Sequence, residues 1–261
     1  MSAVFLAPIF IVLLNSFKTK FSISQTPFVL PDSDTFSGIE NYVSGIADTG
    51  FLTAFFWSLF ITVCSVAMII IFTSMTAWYI VRSNGRTANT FYYLFVFSMI
   101  VPFQMVMFTM SKIANVLRLD NPLGLILLYL GFGSGLSVFM FSGFVKSVPK
   151  GIEEAATIDG CNTFEVFWRV VFQVLKPTTV TVAILNTMWI WNDYLLPYLV
   201  LGTDQKTVPV AIQIAMQGAY GSTDMGGFMA MLVLAIIPII IFYVACQKHI
   251  IKGVIAGAVK G

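Results

Sequence analysis

A polar stretch in the middle of the chain reads Ser147-Val-Pro-Lys-Gly-Ile-Glu-Glu-Ala-Ala-Thr-Ile-Asp-Gly160. Pro149 suits the first turn of a helix, where a backbone N–H would be unpaired anyway. Glu153 and Glu154 follow near the positive N-terminal end of that helix, where carboxylates are favourable. Gly160 can end the helix in a left-handed conformation. The stretch therefore predicts a short helix that stops at a glycine.

The segment that follows predicts a second helix. Asn162 and Glu165 have the spacing of a capping box, in which each side chain bonds the other residue's backbone N–H. Helical spacing then predicts an apolar face made of Phe164, Phe167, Trp168 and Val171. Residues 147–176 are thus expected to form a helix, a glycine turn and a helix. The alternative is an amphipathic connector that only rests on lipid headgroups.

The composition excludes several classes of protein. Of the 261 residues, 58% are hydrophobic and 10% are charged, whereas a soluble domain carries about 25% charged residues. A mean hydropathy of +0.89 agrees with this apolar character. A soluble enzyme and a disordered chain are therefore excluded. The net charge of +2 is too small to suggest nucleic-acid binding, and three cysteines do not form a disulfide framework.

Six apolar runs surround the polar stretch, at residues 3–17, 51–81, 91–110, 122–146, 177–201 and 227–246. Each can form a helix directed across a hydrocarbon core of about 30 Å, although the first helix would measure only about 22 Å. Pro102 and Pro238 are expected to kink the third and sixth helices. The sequence predicts an all-α integral membrane protein with six transmembrane helices in a single domain, 1–261.

The distribution of basic residues orients the chain. Cytoplasmic segments carry an excess of lysine and arginine, which places both termini, the loop 147–176 and the tail 247–261 in the cytoplasm. The basic residues on that side are Arg82, Arg86, Lys146, Lys150, Arg169, Lys176, Lys248, Lys252 and Lys260. Those on the outer side are fewer, namely Lys18, Lys20, Lys112, Arg118 and Lys206.

One part of the loop resembles a known family. Glu154-Ala-Ala-Thr-Ile-Asp-Gly160, followed by a lysine–proline pair that ends at Pro177, is similar to the EAA loop of ABC importer permeases. The longer string Ile152 to Gly160 resembles the version in carbohydrate importers of the maltose type. Gln173 departs from the pattern, because many relatives have proline there. A local change in helix bend is expected at that position.

The resemblance extends over nearly the whole chain and indicates a MalG-like permease subunit. Three further segments carry it: Asn15-Ser-Phe-Lys18, Trp191-Asn-Asp193 with Pro197, and the tail Gly253–Gly261. It implies a type I ABC importer permease fold in a bacterial cytoplasmic (plasma) membrane. It also implies the partners: a second, MalF-like permease subunit, two ATPase subunits, an extracellular sugar-binding protein, an oligosaccharide and membrane lipid.

Energy is expected to come from the partner ATPase. The sequence contains no Gly-x-x-x-x-Gly-Lys-Ser/Thr loop for ATP phosphates. We therefore expect no enzyme activity and no directly bound cofactor, with ATP and Mg at the partner. The resemblance implies that the helix in the loop docks in a cleft of the ATPase, with Glu153 or Glu154 paired to a basic residue there. The coupling residues would be Glu153, Glu154, Ala155, Ala156, Asp159 and Gly160.

The fifth apolar run is the most polar of the six. Asn186, Trp189, Asn192 and Asp193 are candidates for a wall of the translocation path, because acids and amides at membrane depth usually face a cavity or the bundle interior. Tryptophan rings can also stack on sugars. The alternative is helix–helix hydrogen bonding plus an interfacial tryptophan. Asp193 would then brace the adjoining loop.

The external loop before the sixth run is long for a plain connector. The resemblance implies that it contacts the binding protein through Gln217, Gly218, Tyr220 and Gly221; otherwise it is an Ω-loop without a partner. His249 is the only histidine, so a catalytic or metal site is not expected.

The sequence leaves three other functions possible. A secondary transporter would need a coupling-ion site, and Asp193 is the only acid within an apolar run. An intramembrane enzyme would need converging nucleophile, base or metal ligands. An ABC permease for a solute other than a sugar would share the same loop.

Overall fold

The computed structural model describes residues 2–83, 85–202, 205–217 and 224–258. Within these ranges the regular elements are helices, apart from one antiparallel bridge between Lys18 and Phe36. The helices are α1 (Ser2–Asn15), α2 (Lys20–Gln25), α3 (Glu40–Thr49), α4 (Phe51–Ser83), α5 (Arg86–Ser98), α6 (Phe103–Val116), α7 (Pro122–Val145), α8 (Lys150–Ile158), α9 (Thr163–Val174), α10 (Lys176–Asn192), α11 (Leu195–Leu201), α12 (Val208–Gln217) and α13 (Met225–Ala258).

Each predicted apolar run is helical in the structure. By length and composition, three helices in the described ranges can cross a membrane: α4, α7 and the Met225–Gln247 part of α13. Two bent pairs pass the same test when each is counted as one span, namely α5 with α6 and α9 with α10. The first run forms the short helix α1, as predicted. Helix α13 continues through Pro238.

The third run differs from the single kinked helix that was predicted for 91–110. Helix α5 ends at Ser98, α6 begins at Phe103, and the two axes are bent by 105°. Pro102 lies at the N-cap of α6 with an extended ψ of 136°. Proline lacks the N–H that would continue α5 and disfavours helical geometry at the preceding residue. Pro102 therefore ends one helix and starts another.

The fifth run, predicted as 177–201, is also interrupted. Helix α10 ends at Asn192 and α11 begins at Leu195. The Asp193 carboxylate accepts the backbone N–H of Leu195 at 3.0 Å and that of Leu196 at 3.5 Å. An aspartate that bonds nearby N–H groups offers the backbone an alternative to continuing the helix.

The chain divides into two compact units, and the first comprises residues 1–60 and 192–244. Its core consists of Phe51, Ala54, Val208, Ala211, Ile212, Ala230 and Met231. Helices α3 and α13 approach closely at Gly45, where an added Cβ would lie 3.1 Å from the Gly227 carbonyl oxygen. The Ser58 hydroxyl accepts the N–H of Val208 at 2.8 Å at the start of α12.

The second unit comprises residues 61–191 and 245–261. Its largest fully buried side chains include Tyr129, Phe141 and Phe167. Two glycines of α7 allow the neighbouring helices to approach. A Cβ at Gly133 would lie 2.6 Å from Ile69 Cδ1 of α4, and one at Gly135 would lie 2.8 Å from the Phe95 carbonyl oxygen of α5. At these two positions the helices pack closely, as small residues in lipid allow.

Candidate functional site

The polar stretch forms the helix and glycine stop that its sequence predicts. Helix α8 begins at Lys150, one residue after Pro149. Gly160 has a φ of +89°. Its N–H bonds the Thr157 carbonyl at 3.1 Å, and the Cys161 N–H bonds the Ala156 carbonyl at 3.0 Å. These two bonds form a Schellman motif, which pairs the last carbonyls of α8.

The second helix of the loop starts with the predicted capping box. The Asn162 side chain accepts the Glu165 N–H at 3.0 Å, and the Glu165 carboxylate accepts the Asn162 N–H at 3.0 Å. Helix α9 then adopts π geometry over Val166–Val171. Gln173 Nε2 donates to the Trp168 carbonyl at 3.1 Å just after that segment. Helices α9 and α10 meet at 76°.

The residues of the predicted apolar face differ in how far the protein covers them. Phe167 and Val171 are buried and Trp168 is half-buried, but the Phe164 side chain is 64% exposed. The prediction assumed a uniform α-helical period of 3.6 residues, whereas the π segment starts at Val166 and changes the angular spacing. Phe164 therefore lies off the buried face.

Glu153 is directed into the protein. Its carboxylate accepts Arg82 Nε at 2.9 Å, Arg82 Nη2 at 2.6 Å and Trp78 Nε1 at 3.0 Å. Both charged side chains are largely covered, at 17% exposure for Arg82 and 13% for Glu153. Arg82 Nη2 also donates to the Val148 carbonyl at 3.0 Å. These contacts attach α8 to the C-terminal end of α4, and we call Trp78, Arg82 and Glu153 the anchor.

The anchor continues into the apolar packing of the loop. The Trp78 ring lies 5.5 Å from the Phe167 ring of α9, centroid to centroid. Phe167 in turn contacts Trp168 at 5.0 Å and Phe172 at 6.0 Å. Helices α4, α8 and α9 are thereby joined by one polar and one aromatic contact. A displacement of α8 away from α4 must break the polar contact.

The opposite face of α8 is open. Glu154, Ala155 and Asp159 are exposed, whereas Ala156 is 8% exposed and faces inward. Ile152 is 38% exposed and Ile158 is 86% exposed. A surface of small and apolar side chains beside a free carboxylate is suited to close contact with another protein. We call this exposed set the outer face.

A cavity of about 670 Å³ adjoins the outer face. Its lining consists of Trp78, Glu153, Glu154, Thr157, Ile158, Cys161, Asn162, Thr163 and Val166. Both glutamates reach it, but only Glu153 is held there by the anchor. The cavity therefore has the anchored Glu153 on one side and the exposed residues of the outer face on the other.

The sequence reasoning missed Trp78 and Arg82. Trp78 was taken only as part of the second apolar run, and Arg82, which follows that run, was used only to orient the chain. A signal was present, because the two residues are four positions apart and lie on one helix face. An arginine and a tryptophan on one face at the end of an apolar run can jointly hold a carboxylate. Their partner lies 71 positions away from Arg82.

The candidates on α10 in the second unit make packing contacts. Asn186 is 4% exposed, and its Nδ2 donates to Ser137 Oγ at 3.2 Å and to the Val182 carbonyl at 2.9 Å. Trp189 is 40% exposed and lies edge-on against Tyr129, 5.4 Å between ring centroids. The Asn186 contact is the helix–helix hydrogen bond that the sequence left open as an alternative.

The other candidates of this set belong to the first unit. Asn192 is exposed and is the last residue of α10. Asp193 is half-buried and bonds the first N–H groups of α11, which is the bracing role that the sequence offered as an alternative. Asn186 and Trp189 therefore lie in the second unit, whereas Asn192 and Asp193 lie in the first.

Several candidates fall outside the described residues. These are Gly218, Tyr220 and Gly221 of the external loop, the side chains of Gln217 and His249, and Lys260 of the tail. Among the residues that the structure does describe, no group of three or more His, Cys, Asp or Glu side chains is arranged to hold a metal ion.

Comparison with known proteins gives consistent relatives. The family described as "binding-protein-dependent transport system inner membrane component" matches residues 69–256. The whole chain is 39% identical to the probable starch degradation products transport system permease protein AmyC of Thermoanaerobacterium thermosulfurigenes, over 93% of that protein. It is 36% identical to the multiple sugar-binding transport system permease protein MsmG of Streptococcus mutans. That alignment covers 98% of this chain and 92% of MsmG.

A solved structure shares the fold. The match is to a chain of a bacterial ABC transporter involved in the import of the acidic polysaccharide alginate. The TM-score is 0.81 at 24% sequence identity, and the alignment covers 95% of this chain and 91% of that chain. At this identity the likeness concerns the arrangement of the helices.

Proposed function

The chain belongs to the family of binding-protein-dependent transport system inner membrane components, and from this premise we propose that it passes an oligosaccharide from an extracellular binding protein to the cytoplasm by alternating access. It has the predicted type I ABC importer permease fold and is a permease of a carbohydrate ABC importer. Oligosaccharides are the proposed class because two relatives are named for starch degradation products and multiple sugars.

The outer face of α8 is the proposed docking surface for the ATPase. Its support is the contrast between the two glutamates: Glu153 is held by Arg82, whereas Glu154 is exposed. Glu154 is therefore the residue that we assign to a basic partner on the ATPase. Ala155, Asp159 and Gly160 belong to the contact, and Ala156 supports α8 from within.

The anchor is the proposed route by which closure of the ATPase reaches the membrane helices. A force on α8 acts on α4 through the Arg82–Glu153 pair, since that pair joins the two helices directly. A charged pair with an additional tryptophan donor resists separation, because breaking it would leave a covered charge without its partner. Helix α8 then moves together with the end of α4, as hinged and sliding elements do in other transitions.

The remaining assignments rest on sequence resemblance. Asn186, Trp189, Asn192 and Asp193 are proposed to lie along the translocation path, in a single domain 1–261. Gln217, Gly218, Tyr220 and Gly221 are proposed to contact the binding protein. The proposed assembly contains this chain, a second MalF-like permease, two ATPase subunits that bind ATP and Mg, and the binding protein. Both termini are proposed to lie in the cytoplasm.

The first experiment asks whether the chain works with an ATPase. The tagged chain is purified gently from its native membrane, its companions are identified by mass spectrometry, and the recovered complex is placed in liposomes. We expect an ATPase, a second permease and a solute-binding protein, and uptake of labelled oligosaccharide that requires ATP. Recovery of the chain alone, or uptake driven by an ion gradient without ATP, would contradict the proposal and favour a secondary transporter.

The second experiment tests which face of α8 meets the ATPase. In a variant without Cys64, Cys161 and Cys246, a single cysteine is introduced as Ala155→Cys or Ala156→Cys and treated with a short crosslinker in the assembled complex. Crosslinking to the ATPase is expected from position 155, which is exposed, and not from position 156, which is covered. Equal crosslinking from both positions would contradict the assigned orientation.

A further inference from the structure

A second cavity, of about 370 Å³, lies in the second unit beside the coupling loop. Helices α4, α5, α7 and α8 all contribute to it near the ends of the apolar runs. Its lining consists of Ile80, Val81, Arg82, Asn89, Tyr92, Ser142, Lys146 and Lys150. Three of these side chains are cations and three are neutral hydrogen-bonding groups, and no carboxylate belongs to the lining.

The charge of this cavity selects for an anion. Arg82 is balanced by Glu153 in the anchor, whereas Lys146 and Lys150 are exposed lysines at the rim. The Lys146 ammonium is held over the Tyr92 ring, 5.4 Å from its centroid. Like charges that line one cavity repel each other, and an anion between them removes that repulsion.

The interior of the cavity contains an unsatisfied donor. Ser142 is fully buried, and its hydroxyl has no hydrogen-bond partner among the residues that the structure describes. A buried hydroxyl without a partner is unfavourable, and such groups are rare in folded proteins. An oxygen of a bound anion would accept this hydrogen bond while Lys146 and Lys150 neutralise its charge. A tetrahedral oxyanion offers several acceptors in different directions, which this lining requires.

We propose that this cavity binds a phosphate group, either the phosphodiester of an anionic lipid headgroup or free phosphate. The cavity lies where α4 and α7 leave their apolar runs. In the proposed orientation these helix ends meet the cytoplasmic lipid headgroups, and basic pockets between helices on that side commonly bind anionic headgroups. A bound phosphate joins Lys146, at the end of α7, to Lys150, the first residue of α8. This inference depends on the proposed function for one point, namely that the cavity faces the cytoplasmic side of the membrane.

The test measures ligand retention and does not use transport. The complete complex is prepared in nanodiscs of phosphatidylglycerol and phosphatidylcholine, released gently, and examined by native mass spectrometry. Wild type is compared with Lys146→Ala and with Ser142→Ala. Removing the Ser142 hydroxyl leaves no polar group unpaired, so folding is preserved. The control is Arg86→Ala, which removes an exposed cation at the start of α5 outside the cavity lining.

We expect wild type and Arg86→Ala to retain one phosphatidylglycerol at this site. Retention should fall about fivefold in Lys146→Ala and about tenfold in Ser142→Ala. A parallel arm adds inorganic phosphate: binding of phosphate that the same two variants lose would identify free phosphate as the source. Equal retention of both ligands in all four proteins would overturn the proposal, as would an equal loss in Arg86→Ala. ATP-dependent uptake is measured separately, so either proposal can fail alone.

Discussion

Glu153 and Glu154 are neighbours in the chain and chemically identical, yet they belong to opposite faces of α8. Glu153 accepts three hydrogen bonds from Arg82 and Trp78 and is largely covered. Glu154 is exposed beside Ala155. Because successive residues of an α-helix point about 100° apart, one short helix can carry an inward anchor and an outward contact.

Helix α8 therefore carries two sets of residues within one short motif: the exposed outer face and the anchor held against α4. The outer face is the proposed surface for a partner, and the anchor links that surface to α4. Loss of the outer face should remove docking and preserve folding, whereas loss of the anchor should loosen the loop and preserve the surface chemistry. The predictions below test that separation.

The largest effect is expected at Gly160. Proline cannot adopt a φ of +89°, and it lacks the N–H that bonds the Thr157 carbonyl. Gly160→Pro should destroy the end of α8 and abolish ATP-dependent uptake, while the protein still inserts. Gly151→Ala, within the same helix and with no described atom within 4 Å of the added Cβ, is the matched control and should transport normally. Full uptake by Gly160→Pro would show that this turn is dispensable.

Glu154→Lys tests the outer face by itself. We expect the variant to insert and to keep its thermal stability, because Glu154 is exposed, but to lose ATPase co-purification and uptake. Repulsion between the new lysine and a basic partner is the physical reason. Asp34, an exposed acid in the first unit, provides the control as Asp34→Lys. Normal assembly of Glu154→Lys would assign the partner's contact to another residue.

Arg82→Ala tests the anchor. Glu153 would keep only the Trp78 hydrogen bond, so we expect the free energy of unfolding to fall by about 2 kcal/mol. Transport should be impaired while the outer face remains exposed. Exchange of the two charges, as Arg82→Glu with Glu153→Arg, should restore part of the lost stability. Thermal unfolding of the purified complex measures the stability of Arg82→Ala and of the double variant. If the losses of stability from Arg82→Glu alone and Glu153→Arg alone simply add up in the double variant, the result would argue against a direct pair.

Gly133→Ala tests the helix packing behind the anchor. The added Cβ would lie 2.6 Å from Ile69 Cδ1 and 2.9 Å from Asn186 Oδ1. Forced repacking of this kind costs about 1–3 kcal/mol. Gly131→Ala is the control, because no described atom lies within 4 Å of its added Cβ. Equal stability of the two variants would mean that α7 does not pack closely at Gly133.

The smallest effect is expected for Trp78→Phe. The substitution removes one hydrogen bond to Glu153 and keeps an aromatic ring against Phe167. A loss of about 1 kcal/mol is expected, with uptake close to normal. Trp78→Leu should cost more, since it also removes the ring contact. If both variants were equally unstable, the hydrogen bond and not the ring would carry the contribution of Trp78.

Local signals in the sequence predicted the conformation of the loop 147–176 well. The capping box of Asn162 and Glu165, the glycine stop at Gly160 and the helices on either side are all confirmed. Each depends on residues within about one helical turn, so neighbouring side chains settle the conformation. The break at Pro102 was located but underestimated. The sequence indicated a kink, whereas the structure has two separate helices whose axes differ by 105°.

The sequence alone determined the apolar runs, the membrane class, the helix–turn–helix loop and the family resemblance, because composition and short-range spacing encode them. The tertiary structure alone decided that Glu153 faces Arg82 and Trp78, that Phe164 lies off the buried face, and that Lys146, Lys150 and Ser142 share a cavity. The Arg82–Glu153 contact joins residues 71 positions apart, and the cavity brings Ser142, Lys146 and Lys150 together with Asn89 and Tyr92 of another helix. Their partners are selected by helix packing, which no local pattern contains.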